Sequence, residues 1–233
     1  MKKLILSFLP IFILSSQVFA IAGFGAYGDF DLLKYPAGSS GDVDEYGVEY
    51  KGFDNAKGFG FLFYIDAIPI VDLEADIEFV GNLYEYTPYL AGIPLASEDL
   101  PWGRVSTYVT IRKEILGLSI PLLAKAQLYG GLGFNKHKVV PIMTADVIKD
   151  ALGGNDIEAA LKLFEADTEE GAKDLAKSML DNVEDVSGFH LQAGVRGKLL
   201  MFNAFVNARY TIADVIPDKS GYPSLWVGLA IGI

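Results

Sequence analysis

From residue 22 onward the polarity of this chain alternates with a period of two, and that alternation restricts the fold more than any other feature. The clearest case is VDLEADIEFV at 71–80, where Asp72, Glu74, Asp76 and Glu78 alternate with Val71, Leu73, Ala75, Ile77 and Phe79. A strand sends successive side chains to opposite faces, so the carboxylates share one face and the apolar residues the other. In a soluble sandwich the acids would face water and the apolar row would be core. In a membrane barrel the apolar row would meet lipid and the acids would crowd the lumen.

Seven further segments alternate in the same way, near 22–32, 58–67, 104–115, 122–134, 189–199, 202–211 and 225–233. Their polar or small faces carry Gly23, Gly25, Tyr27, Asp29 and Asp31, then Gly58, Gly60, Leu62, Tyr64 and Asp66, then Arg104, Ser106, Tyr108, Thr110, Arg112 and Glu114. In the second half the same face carries Lys125, Gln127, Tyr129, Gly131 and Gly133, then His190, Gln192, Gly194, Arg196 and Lys198. Asn203, Phe205, Asn207, Arg209 and Thr211 follow, and last Trp226, Gly228, Ala230 and Gly232. With the acidic segment this makes eight strands.

The first twenty residues have the layout of a cleaved secretory signal: Lys2 and Lys3, an apolar run from Leu4 to Leu14, and a small residue, Ala20, before the cut. That run is shorter than the roughly 20 apolar residues a helix needs to cross a bilayer. Without Lys2 and Lys3 the formal charge of −11 becomes −13, which counts against a nucleic acid partner, because phosphate binding needs clustered Lys and Arg. There is no cysteine, so an exported chain here does without disulfides. Acidic character, positive mean hydropathy and no long apolar run after the signal together favour a transmembrane barrel.

The connections alternate in length. Short ones are expected near 67–70, 116–121 and 200–201, and long ones at 33–57, 82–103, 135–187 and 212–222. A barrel that crosses a membrane sorts its loops in this way, and a sandwich has no reason to. The third long connection, 141–187, reads as helical. Asn155 with Glu158 and Asp167 with Glu170 have capping-box spacing, and a shorter helix at about 145–152 ends at Gly153 and Gly154. From Thr144 to Val186 it holds twelve acids and four lysines. Its apolar stripe serves either as a cap buried on the barrel rim or as a face for a protein partner.

The closing residues WVGLAIGI resemble the C-terminal strand signature of bacterial outer-membrane proteins, with Gly228, Ile231 and Ile233 at the matching places, although the usual last residue is Phe or Trp. With the signal and the strand count, the chain resembles the small eight-stranded outer-membrane barrels such as the membrane domain of OmpA, OmpX and OmpW. The resemblance implies an all-β, antiparallel up-and-down barrel at 21–233 in the bacterial outer membrane, wetted by its lipid and inserted by the barrel assembly machinery. Tyr84, Tyr86, Tyr89, Trp102, Tyr108, Tyr210, Tyr222 and Trp226 lie toward one end of their strands and read as an interfacial aromatic belt.

In such a barrel Asp72, Glu74, Asp76 and Glu78 are enclosed, and each would cost several kcal/mol if left unpaired. The expected counter-ions are Arg104, Arg112, Lys125, Arg196, Lys198 and Arg209. Centring the second long loop near residue 93 sets residue 74 opposite 112 and 78 opposite 108, and predicts a Glu74–Arg112 pair. Glycines on four strands opposite long charged chains on the others give either a filled interior or a thin polar passage.

A catalytic group is sought in His190, with Ser187 and Asp185 near it in sequence, but three-residue spacing does not define a triad. His137, between Lys136 and Lys138, reads as a solvated loop residue. Two histidines and no cysteine cannot form the usual zinc set, and Asp42, Asp44 and Glu45 lack the calcium-loop pattern. Gly131 and Gly133 belong to a strand rather than a phosphate cradle. The expectation is a structural anchor or surface-interaction protein with a charge-paired lumen, neither an enzyme nor a holder of cofactor or metal. The alternative is a narrow channel for small solutes.

Overall fold

A computed structural model describes residues 22–66, 70–120, 123–152, 177 and 181–232. The expected signal, both capping-box helices and Ile233 lie outside the described residues. The elements are β1 (Ala22–Tyr35), β2 (Gly38–Asp42), β3 (Tyr46–Tyr50), β4 (Phe53–Ile65), β5 (Asp72–Leu90), β6 (Ile93–Pro94), β7 (Glu98–Ile120), β8 (Ala124–Val139), α1 (Ala145–Leu152), β9 (Glu184–Leu199), β10 (Phe202–Ile212) and β11 (Tyr222–Gly232).

Eight of these strands close a ring, β1–β4–β5–β7–β8–β9–β10–β11, and β11 pairs antiparallel with β1. Closure leaves these strands without the open edges that a flat sheet must protect. Stepping around the ring from Gly23 leads through Tyr64, Glu74, Thr110, Gly133, His190 and Thr211 to Tyr222, whereas Gly23 itself pairs with Gly232. This displacement of ten residues means that the strands are tilted and the sheet sheared.

Alternation decides which face is enclosed. On β10, Asn203, Phe205, Asn207, Arg209 and Thr211 are buried, while Phe202, Ala204, Val206, Ala208, Tyr210 and Ile212 are exposed. The same parity governs the other ring strands, so an apolar band including Phe24, Phe61, Val109, Leu132, Val195, Val206 and Leu229 faces outward. Enclosed polar and charged groups with hydrocarbon side chains outside invert the arrangement of a soluble domain. The chain is built to be solvated by lipid. Among the described residues no helix is long and apolar enough to cross a membrane.

Three expectations about the connections are corrected. Residues 116–120 are strand rather than turn, because β7 runs on to Ile120 and bulges between Glu114 and Leu116. The long segment 82–103 is mostly strand: β5 continues to Leu90 and reverses at Ala91-Gly92, both with positive φ (49° and 77°), the geometry of a tight two-residue hairpin. The first long loop folds into the β2–β3 hairpin, and β3 pairs with β5 from Tyr50↔Tyr86 to Tyr46↔Leu90, above the point where β4 leaves it.

The aromatic belt is also corrected. Tyr84, Tyr86, Trp102, Tyr108, Tyr222 and Trp226 are buried, whereas Tyr210 and Tyr89 take the outward parity of their strands. Tyr89 is half-buried and donates its hydroxyl to Glu49 Oε2 at 3.0 Å. The enclosed rings share the parity of the charged rows, which places them inside whatever their height along the barrel.

Candidate functional site: the enclosed charge network and its apolar lid

Side chains from every ring strand point into the lumen. Near the short-turn end, Arg112 donates to Glu74 Oε2 at 2.6 Å and to Asp66 Oδ1 at 3.2 Å, and Arg196 lies 2.7 Å from Asp66 Oδ2. Gln192 donates to the other Glu74 oxygen at 2.7 Å. Both guanidiniums lie over the Tyr64 ring, at 5.5 and 4.2 Å from its centroid. Higher up, Arg209 bridges Asp76 Oδ2 (2.5 Å) and Glu78 Oε2 (3.2 Å), with its guanidinium 3.7 Å from the centroid of Tyr108. Arg104 bridges Asp31 Oδ2 at 2.8 Å and Glu78 Oε1 at 2.7 Å. Tyr27 and Tyr108 add their hydroxyls to Glu78 at 3.2 and 3.3 Å. Charge-assisted bonds and aromatic faces thus replace the water these groups lose.

The structure brings together Glu74, Asp76, Glu78, Arg104, Arg112, Arg196 and Arg209. Lys125 instead pairs with Glu114 at 2.5 Å on the partly exposed short-turn rim. Asp72 stands opposite Arg112 in register, and neither it nor Lys198 makes an ion pair among the described residues. Glu74 faces Thr110 and Glu78 faces Ser106, two residues from the expected register, yet the long side chain of Arg112 still reaches Glu74. Asp31, Asp66 and Gln192 complete the network without having been singled out beforehand, although their parity already put them on the inner face.

Lumen glycines make room for rings. A Cβ on Gly23 would lie 2.2 Å from the Tyr64 ring, and one on Gly60 would lie 2.3 Å from Tyr27. Tyr27 is held from behind by Trp226, with ring centroids 4.7 Å apart. Gly60→Val should therefore displace Tyr27 from Glu78 and destabilise the barrel by about 1–3 kcal/mol, measured by denaturant unfolding in detergent micelles. Gly228 lies on the same inner face against Tyr27, and Ile231 of the C-terminal signature points outward.

The two histidines are both enclosed. His137 was expected in a solvated loop, but β8 extends to Val139, so Lys136 and Lys138 point out and His137 points in, bonded to Ser106 Oγ at 2.8 Å and Asn135 Oδ1 at 3.0 Å. His190 Nε2 meets Thr110 Oγ1 at 2.8 Å. Ser187 is exposed on the other face of β9, and Asp185 sits near Lys136 and Lys138. The structure therefore separates the three residues considered for a triad. Asp42 lies at the β2–β3 turn, where its carboxylate accepts the Asp44 N–H at 3.0 Å.

Above the charges lies an apolar lid. Thr144 caps α1, its Oγ1 accepting the Val147 N–H at 3.2 Å and its carbonyl the Ile148 N–H at 3.0 Å. Ile142, Met143, Ala145 and Ile148 form one buried cluster with Leu33, Tyr46, Val48, Tyr84, Tyr86, Trp102, Val139 and Tyr222. The Met143 N–H donates to the Tyr84 hydroxyl at 2.9 Å and the Ala145 N–H to Ser40 Oγ at 3.2 Å.

With lipid-facing apolar rows outside and ion pairs within, the fold is that of a small bacterial outer-membrane β-barrel. No family model matches the sequence, and no curated protein is similar to it. Among solved structures the chain is similar to the outer membrane protein OprG from Pseudomonas aeruginosa, at 12% identity over 91% of this chain and 93% of that one, with a TM-score of 0.45. It is similar also to Neisserial surface protein A, at 13% identity over 91% and 99% and a TM-score of 0.42. The N-terminal β-barrel domain of Pseudomonas aeruginosa OprF gives 10% identity over 91% and 99% and a TM-score of 0.37. These values are too low for any residue or role to be carried across.

Proposed function

We propose that the protein is a non-catalytic outer-membrane anchor with a sealed lumen, which displays an acidic surface at its long-loop end. The observation that carries this reading is the lid: Ile142, Met143 and Ile148 share one buried cluster with lumen-facing Trp102, Val139 and Tyr222. Beneath it the bridged arginines leave the middle of the lumen packed with side chains. Around it Asp42, Asp44, Glu45, Glu98, Asp99, Asp146, Asp181, Glu184 and Asp185 are exposed. Such a surface favours cationic partners and repels other anionic surfaces. In this reading the connection 141–187 supplies the lid through Ile142, Met143 and Ile148 and carries the contact face for a protein partner, and the assembly machinery engages the last strand.

The protein reconstituted in planar bilayers should show no steady ohmic current. Resolvable, long-lived conductance steps from the unmodified protein would overturn the sealed anchor in favour of a narrow channel.

A further inference from the structure

Among the described residues the lumen encloses five carboxylates, Asp29, Asp31, Glu74, Asp76 and Glu78, but four guanidiniums, Arg104, Arg112, Arg196 and Arg209. The imbalance is local. Arg112 and Arg196 are matched by Glu74 and the partly exposed Asp66. Arg104 and Arg209 alone serve Asp31, Asp76 and Glu78. Asp29, only 5% exposed, adds a fourth acid to that group, and no hydrogen-bond donor reaches either of its oxygens or Asp31 Oδ1. The enclosed histidines bond to hydroxyl and amide groups and do not neutralise these acids. The group is two positive charges short of neutrality in a buried space, where uncompensated carboxylates are strongly unfavourable.

We propose that Asp29, Asp31 and Glu78 hold one divalent cation of calcium size. One oxygen from each of the three lies within 4.8 Å of the others. That spread puts the three oxygens within reach of one ion, and calcium suits an enclosed site better than magnesium, which gives up its water reluctantly and demands near-ideal octahedral geometry. A hard cation suits an all-oxygen set, and its two charges balance the four carboxylates against Arg104 and Arg209. The three ligands come from β1 and β5, on either side of β4, so the ion would tie those strands across the lumen. This inference goes beyond the sealed-anchor reading, and metal content tests it independently of conductance.

The test uses the full chain refolded from urea into detergent micelles free of lipopolysaccharide, with calcium present, then passed through metal-free buffer. Elemental analysis should find one calcium per folded chain, and terbium in its place should luminesce on tyrosine excitation. Asp29→Asn, nearly isosteric, should fold by the criterion of altered gel migration on boiling and lose at least ten-fold in calcium retained. Chelator present during refolding should lower the melting temperature of the unmodified protein but not that of the variant. Absence of stoichiometric calcium from the unmodified protein, or equal calcium in the variant, would overturn the site; Asp29 would then carry a proton.

Discussion

Arg209→Leu should lower the stability of the folded barrel by about 3–5 kcal/mol, because it removes the cationic partner of Asp76 and one of the two of Glu78 while leaving both enclosed. Arg209 donates to Asp76 at 2.5 Å and to Glu78 at 3.2 Å, and stacks on Tyr108. Glu78 retains Arg104, so the larger share of the penalty falls on Asp76, whose other oxygen has no donor. The double variant Arg209→Leu/Asp76→Asn should recover part of the loss, since the charge that lacked a partner is removed. Urea unfolding in micelles, read by the gel shift between boiled and unboiled samples, would measure both. A loss below about 1 kcal/mol in the single variant would mean that water reaches these groups, as exposed ion pairs contribute no more than that.

Val206→Arg should cost about 2–4 kcal/mol, the penalty for a cation near the bilayer midplane on the lipid face of a barrel. Val206 is 58% exposed and lies midway along the outward row of β10, between Ala204 and Ala208. The same substitution at an exposed site of a water-soluble protein would fall within about 0.5 kcal/mol of neutral. Folding into lipid vesicles, compared for Val206→Arg and Val206→Leu, distinguishes the two solvents. A neutral arginine would place water rather than hydrocarbon against the apolar band.

Parity made the ring legible. All eight strands, and the inner or outer assignment of their side chains, follow from a period of two, because a shift by one residue would expose a whole polar row to lipid. Height along a strand and the character of sequence neighbours are weaker guides than parity. Height suggests a belt for Tyr84, Trp102 and Trp226, although they share the parity of Glu74, Arg104 and Gly228. Two lysine neighbours suggest a solvated His137, whereas the continuing alternation of β8 turns it inward. Ser187 and His190 are an odd number of residues apart on one strand, which alone sets them on opposite faces.

Other features lay beyond local pattern. Pairing of β3 with β5 joins residues about forty apart, and nothing within Tyr46–Tyr50 specifies that neighbour. The register of β5 on β7 was two residues off because the reversal lies at Ala91-Gly92 rather than near residue 93, and Ala91 carries no turn signature although its φ is positive. Asp31 and Asp66 were legible as inward residues, but their partners depend on how far each arginine reaches across a closed ring.

The β2–β3 hairpin has a mechanical consequence. It is stitched to β5 by five consecutive residue pairs, Tyr46↔Leu90 to Tyr50↔Tyr86, rather than hanging from the rim. A tug on the tip at Asp42 to Tyr46 along the strand direction would strain those rungs together, instead of unzipping them singly. The acidic tip is thus anchored against a pull along the strands by all five pairs at once.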